Sequence, residues 1–357
     1  MLLEQITAPA QVDYLDAENQ LNRLLTLANL DGRVKADPAL VETVEMAVAI
    51  ALTSAYRDSN SDPVAHRFLQ RLLYRINRLK LFWYDDLQQY INEGSYYLAD
   101  LRDRIESVWQ EWEIAQIDRQ ALKQEEVSQG LQERVNRDLN PPPTAESVFL
   151  ENSLSLQGYR LLLAIASLDG LVEASRLSRI LGGAANDVQA MLTRILMEEY
   201  GGGRLARKHS TFFAQMMLEL GLNPQPEAYF DLVPWEVLAS INHNFLLTER
   251  KRFFLRYNGG LTYFEVIGPA VYRTYMRAAQ RLGLSAEAMG YWELHIREDE
   301  RHGRWMLEEV ALPLAQQYPQ NAWELLLGYD QEKQMAERAG RAVVQMLKQA
   351  ESSGFRL

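Results

Sequence analysis

A chain of 357 residues with 47% hydrophobic and 24% charged residues has the makeup of a folded protein, long enough for one large helical domain or two ordinary ones. Its net charge of −11 argues against the general phosphate-binding face a nucleic-acid protein needs. The absence of cysteine excludes disulfides, thiolate zinc sites, iron–sulfur clusters and cysteine nucleophiles, so any metal must be held by His, Asp and Glu, a set suited to iron, manganese or zinc.

The opening "MLLEQITAPAQVDYLD" acquires acids too early for a secretory signal. The longest apolar run, "AVAIAL" at 47–52, falls short of the roughly 20 residues of a membrane helix, and a cytoplasmic protein is expected. Helical spacing then dominates. "NQLNRLLTLANLDG" sets Leu21, Leu24, Leu25 and Ala28 on one face and predicts a stop at Asp31-Gly32. "HRFLQRLLYRINRLKLFWYDD" repeats the pattern with Phe68, Leu69, Leu72, Leu73 and Ile76. Its arginines at 67, 71, 75 and 78 form a stripe that reads as the solvated face of an amphipathic helix.

"NPPPT" ends a polar, charged stretch that runs from Gln116 to Asn140, because consecutive prolines cannot continue a helix. It divides an N-terminal helical region, 1–140, accessory or packed on the core, from a domain at 144–350. That domain reads as helices at 153–168, about 174–200, 210–221, 233–248, 250–257, 261–283, 285–310 and 321–350. The expected fold class is all-α, with helices enough for a bundle.

Three fragments carry candidate chemistry. In "YWELHIREDERHGRW", His295, Asp299 and His302 fall within an arc of roughly 60° at about 100° per residue, with Glu298 at its edge. Tyr291, Trp292 and Met306 lie on or beside that face, so it is expected to be buried. Two imidazoles and a carboxylate there must be hydrogen-bonded or share a cation, and the spacing alone leaves a polar network and a metal site both open. Glu265 is the only charged residue between Arg256 and Arg273, flanked by Tyr263, Phe264, Val266 and Ile267. In "MEEYGGGRLARKHSTFF" a helix ends at Glu198-Glu199, three glycines let the chain turn, and His209 opens the next helix, able to converge with the acid.

"EYGGGR" with His209 and "STFF", then "TYFEV", then His-x-x-x-Asp-x-x-His in "LHIREDERHG" resemble the three core-helix motifs of the iron-containing redox enzyme family, the heme-oxygenase-like diiron oxidases. The resemblance covers roughly 150–345. It implies metal ligands Glu199, His209, Glu265, His295, Asp299 and His302, with Glu198 as a rival to Glu199. His66 and His243 match nothing and read as structural or surface residues. The implied cofactor is two iron ions, with manganese as the alternative metal and O2 as co-substrate. The implied reaction is oxidation of a small amino-acid-like or fatty-acid-like substrate by N-oxygenation, desaturation, C–C cleavage or decarboxylation. An electron donor and a homodimer are further family expectations, with no nucleic acid and no membrane insertion. The alternatives are a non-catalytic helical scaffold and a heme-binding relative of the same fold. Ferritin-like proteins need paired Glu-x-x-His motifs, which this sequence lacks.

Overall fold

The computed structural model describes residues 12–57, 62–82, 86–183 and 186–357; residues 1–11, on which the expectation of no secretory signal rests, lie outside them. The described residues are helical and contain no strand. The chain divides into two compact units at Glu113/Ile114.

The first unit contains α1 (Tyr14–Leu25), α2 (Leu30–Ala36), α3 (Glu42–Tyr56), α4 (Pro63–Asn77) and α5 (Tyr96–Ile114), whose last residue begins the second unit. Two expectations change here. α1 stops at Leu25, and Asp31-Gly32 lies inside α2. Asp31 instead serves the start of α5, accepting from Ser95 Oγ at 2.7 Å and from the Tyr96 and Tyr97 amides at 3.0 and 3.1 Å. Part of the arginine stripe is turned inward: Arg67 stays exposed, but Arg71 is buried and gives two 2.7 Å hydrogen bonds to Glu18, and half-buried Arg75 lies 3.6 Å from the same carboxylate. Burying α4 on nearly all sides requires that pairing, since an unpaired buried guanidinium is far costlier. The stretch Pro38–Tyr56 is long and apolar enough, at mean hydropathy 1.4, to span a bilayer, a longer apolar segment than "AVAIAL" suggested. In this fold Val44, Ala47, Val48, Ala51 and Ala55 are buried as α3 packs on α1 and α4.

The second unit begins with α6 (Arg119–Gln124) and α7 (Val127–Asp138), so the proline run lies within it. α7 is tied to the last helix by Arg134 on Asp330, two 2.8 Å bonds, and by Asp138, which accepts from Lys333 at 2.5 Å and Tyr329 at 3.1 Å. There follow α8 (Ala145–Asn152), α9 (Leu156–Gly170), a 3-10 segment (Glu173–Ile180), α10 (Asp187–Glu199), α11 (His209–Glu219), α12 (Trp235–Glu249), α13 (Phe254–Arg281) and α14 (Ala286–Trp305). A π-helical turn (Met306–Ala311) joins α14 to α15 (Leu312–Gln317), and α16 (Trp323–Ser353) closes the chain.

α13 lies along both α14 and α16 and is the spine of this unit. The sequence suggested two helices broken near Gly259-Gly260, but α13 runs unbroken because these glycines serve packing. A Cβ on Gly259 would meet the Leu325 carbonyl oxygen at 2.0 Å, and one on Gly328 the Arg256 carbonyl oxygen at 1.9 Å. Each helix gives the other a side-chain-free surface, and the two backbones touch. Two apolar clusters flank the spine. One includes Leu192, Ile195, Met306, Val310 and Leu325. The other includes Tyr159, Phe213, Met216, Tyr291 and Trp292.

This packing predicts opposite effects for two glycines of α16. Gly328→Ala should destabilise by about 3 kcal/mol, because backbone rather than a flexible side chain must give way. Gly340→Ala, exposed with open space around it, should stabilise by roughly 0.5–1 kcal/mol. Denaturant unfolding of the two variants checks both.

Candidate metal centre

Between those clusters the same helices change from apolar to polar. Glu199 follows Ile195 by one turn of α10, His209 precedes Phe213 on α11, His295 follows Trp292, and His302 precedes Met306. All six predicted site residues are buried: Glu199, His209, Glu265, His295, Asp299 and His302 are at most 6% exposed.

The Glu199–His209 pair depends on the intervening turn. Gly201, Gly202 and Gly203 all have left-handed backbones, with φ of 62°, 64° and 77°. A Cβ on Gly201 would stand 2.4 Å from the Arg207 carbonyl carbon, so only glycine lets the chain double back there. The reversal brings His209 Nδ1 to 2.7 Å from Glu199 Oε2. His295 Nε2 lies 3.1 Å from the same His209 nitrogen. The other oxygen of Glu199 faces elsewhere: Oε1 is 3.4 Å from His302 Nδ1, which is also 3.4 Å from Glu265 Oε2 and 3.9 Å from Asp299 Oδ1. Glu199 thus stands between two sets of donors, His209 with His295 on one side and Glu265, Asp299 and His302 on the other. Ligand atoms of Glu199, His209 and His295, and separately of Glu199, Asp299 and His302, lie within 4.8 Å of one another.

Hydrogen bonds to the far side of two imidazoles fix their orientation. His295 Nδ1 lies 2.9 Å from the Tyr291 carbonyl, which can only accept. Burial pushes the His295 pKa down to about 4, against the pull of Glu199. The ring is therefore neutral near pH 7 with its proton on Nδ1, and the Nε2 lone pair is presented to the cluster. His302 Nε2 is 3.0 Å from Glu198 Oε2, which turns Nδ1 inward. Burial acts to lower the His302 pKa, but Glu265, Glu199 and Glu198 outweigh it and push it up to about 9. Burial likewise acts to raise both glutamates, yet His209, His295 and His302 hold Glu199 below the usual carboxylate range, and Arg301 with His302 does so for Glu198. Arg301 binds Glu198 at 2.6 Å and also pairs with Glu298. Glu198 thus meets His302 on the outer side of the ring, while Glu199 faces the other donors.

Two further glycines make room. A Cβ on Gly268 would lie 2.6 Å from Asp299 Oδ2, and one on Gly303 would lie 3.1 Å from the Glu265 carbonyl oxygen. Pro269, inside α13, has no N–H to offer that same carbonyl four residues back. These positions, and the part of Glu198, were not singled out from sequence; the glycines at 268 and 303, close to two motif acids, were the available signal. His243 and His66 are both buried. Burial, with Arg256 and Arg338, pushes His243 down to about 3. His66 packs against Tyr56 and Trp112 at ring distances of 4.8 and 5.2 Å.

The donor chemistry suits a cation. With neutral imidazoles the six residues carry three negative charges, and an imidazolium at His302 leaves two. Buried charge of one sign calls for a counter-ion. With metal–ligand bonds of about 2.1 Å, neighbouring donors on one ion stand about 3.0–3.4 Å apart, matching the distances from His302 Nδ1 to Glu199 and Glu265.

Comparison with known proteins agrees with this picture. Residues 160–335, which contain all six, match the family described as iron-containing redox enzymes. Over 154 residues the chain is 29% identical to nitrosourea synthase of Streptomyces achromogenes subsp. streptozoticus, a match covering 42% of this chain and 31% of that protein. The chain thus aligns with about a third of that relative's length.

These shifts predict how the chelator-treated protein responds to pH. The His302 contribution is complete below about pH 6.5, its unfolded value, and is lost as pH rises through about 9. Glu198 and Glu199 contribute above about pH 4.5 and lose that contribution as acid titrates them through their lowered folded values. Denaturation midpoints should therefore fall between pH 6 and 9.5, and His302→Gln should flatten that alkaline decline.

Proposed function

We propose, from the match of residues 160–335 to the iron-containing redox enzyme family, that this chain is an O2-dependent oxidoreductase in which Glu199, His209, Glu265, His295, Asp299 and His302 would hold two iron ions. The observation that carries this reading is the position of the two Glu199 oxygens, one 2.7 Å from His209 and the other 3.4 Å from His302. His209 and His295 would hold one ion with Glu199, and Glu265, Asp299 and His302 the other. Two ferrous ions with three carboxylates leave a formal charge of about +1, a far smaller burden than the uncompensated acids.

The iron pair would supply the electrons that reduce O2 and the oxidising power turned on the substrate. The protein's residues do the remaining work. Tyr291 holds the His295 proton on Nδ1, so that Nε2 is free to ligate. Glu198 accepts from His302 Nε2, and loading requires the proton on Nδ1 to leave. Tyr291 and Tyr272, with ring centroids 4.2 and 5.0 Å from that of His295, wall one side and exclude water. The substrate is a small organic molecule, amino-acid-like or fatty-acid-like. The likeness to a nitrosourea synthase makes oxidation at nitrogen the first outcome to test, ahead of desaturation, C–C cleavage and decarboxylation. An external electron donor would restore the ferrous state.

Anaerobic Fe(II) loading with metal counting tests the reading. The wild type should bind two irons per chain, Asp299→Ala about one, and Glu199→Gln less than one, with little change in circular dichroism. Glu198→Gln should retain both ions at roughly 10–100-fold weaker affinity. Exposure of the loaded protein to O2 should give a transient visible absorbance. Fewer than one iron on the wild type at saturation contradicts the proposal, and unchanged iron content in Asp299→Ala favours a non-catalytic scaffold.

A further inference from the structure

A cleft of about 420 Å3 runs from the surface to the buried acids, with Glu265 and Asp299 in its lining and Pro269 between α13 and α14. Its mouth carries charges the metal reading does not use: Arg273 on α13 and Glu300 on α14, paired at 3.3 Å. We propose that Arg273 and Glu300 read the head group of a zwitterionic substrate, Arg273 taking its carboxylate and Glu300 its ammonium, so that the remainder of an α-amino acid points toward Glu265 and Asp299. This inference rests on the site proposed above and assigns its specificity.

Helical geometry places the two ends of the cleft at a useful separation. Glu265, Pro269 and Arg273 succeed one another at four-residue steps on one face of α13, about 12 Å from first to last along the axis. Helical side chains lean toward the N-terminus, so the Arg273 guanidinium tips back over Pro269 toward the acids. A molecule held there has room for a few carbons before the metal donors, the reach of an amino-acid side chain and far less than an extended acyl chain. Proline at 269 keeps that wall narrow, since it offers neither a long side chain nor an N–H that would need a partner.

The existing pair is easily exchanged. Side-chain exposure is 34% for Arg273 and 64% for Glu300, the regime in which an ion pair contributes little. A ligand carboxylate can take Arg273 in a two-pronged geometry, and its ammonium can satisfy the released Glu300, so both charges stay paired. Arg273 is the one basic residue among the described residues lining the cleft, which favours this head-outward orientation over the reverse.

Calorimetric titration of metal-replete and of chelator-treated protein separates this inference from the metal reading. The probes are L-norleucine, L-arginine and L-tyrosine, each against its methyl ester, with hexanoate as a carboxylate lacking the ammonium. At least one amino acid should bind, its ester at least tenfold more weakly. Arg273→Gln should remove that preference and Arg273→Lys restore part of it, both with unchanged metal content. Glu300→Gln should weaken the amino acid and leave hexanoate unaffected. Ester and acid binding alike, amino-acid affinity indifferent to Arg273→Gln, or no binding of any of the three amino acids would each overturn the proposal. A protein that bound amino acids in this pattern yet took up no iron would retain the head-group site and lose the metal reading.

Discussion

Buried like charge is the constraint around which the C-terminal unit is organised. Glu199, Glu265 and Asp299 converge with three imidazoles in a buried space, and each carboxylate would be prohibitively placed without opposite charge or hydrogen-bond donors nearby. The elevated pKa of His302 and the lowered one of Glu199 are two expressions of the same tension. Protons and cations compete for one set of lone pairs, and the arrangement answers to whichever is bound.

Holding such a layer needs rigid surroundings, and the helices supply them through backbone contact more than through large side chains. Gly259 and Gly328 seat α13 directly on α16, while Gly268 and Gly303 admit Asp299 and the Glu265 carbonyl where a methyl group would collide. The apolar clusters on either side anchor the same helices one turn away from the polar layer, so packing fixes the donors to within small displacements. Outside the layer, Arg301 clamps Glu198 and Glu298, which keeps His302 turned inward.

Much of this was readable in the sequence because helical spacing maps directly onto faces. The arc of His295, Asp299 and His302 is a property of one helix, and it survived folding into α14 as written. Glu265 stood out because its neighbours are apolar. Convergence of α10, α11, α13 and α14 is a tertiary fact, reached from sequence only through the resemblance of the three fragments to a known family. The misreadings share a cause: glycine and arginine have more than one use. Gly259-Gly260 looked like a break and is a contact surface; Asp31-Gly32 looked like a stop and lies within α2; the arginines of α4 looked solvated and, at Arg71, are buried on Glu18. Local pattern carries no information about the partner across the interface, and the partner decides each case.

Two iron ions would be held by Glu199 with His209 and His295 on one side and with Glu265, Asp299 and His302 on the other. Anomalous diffraction at the iron edge from crystals loaded anaerobically with Fe(II) tests this arrangement most directly. Two peaks per chain are expected, one beside His209 and His295 and one beside Glu265, Asp299 and His302, with Glu199 between them. A single peak, or iron bound away from Glu199, would contradict it.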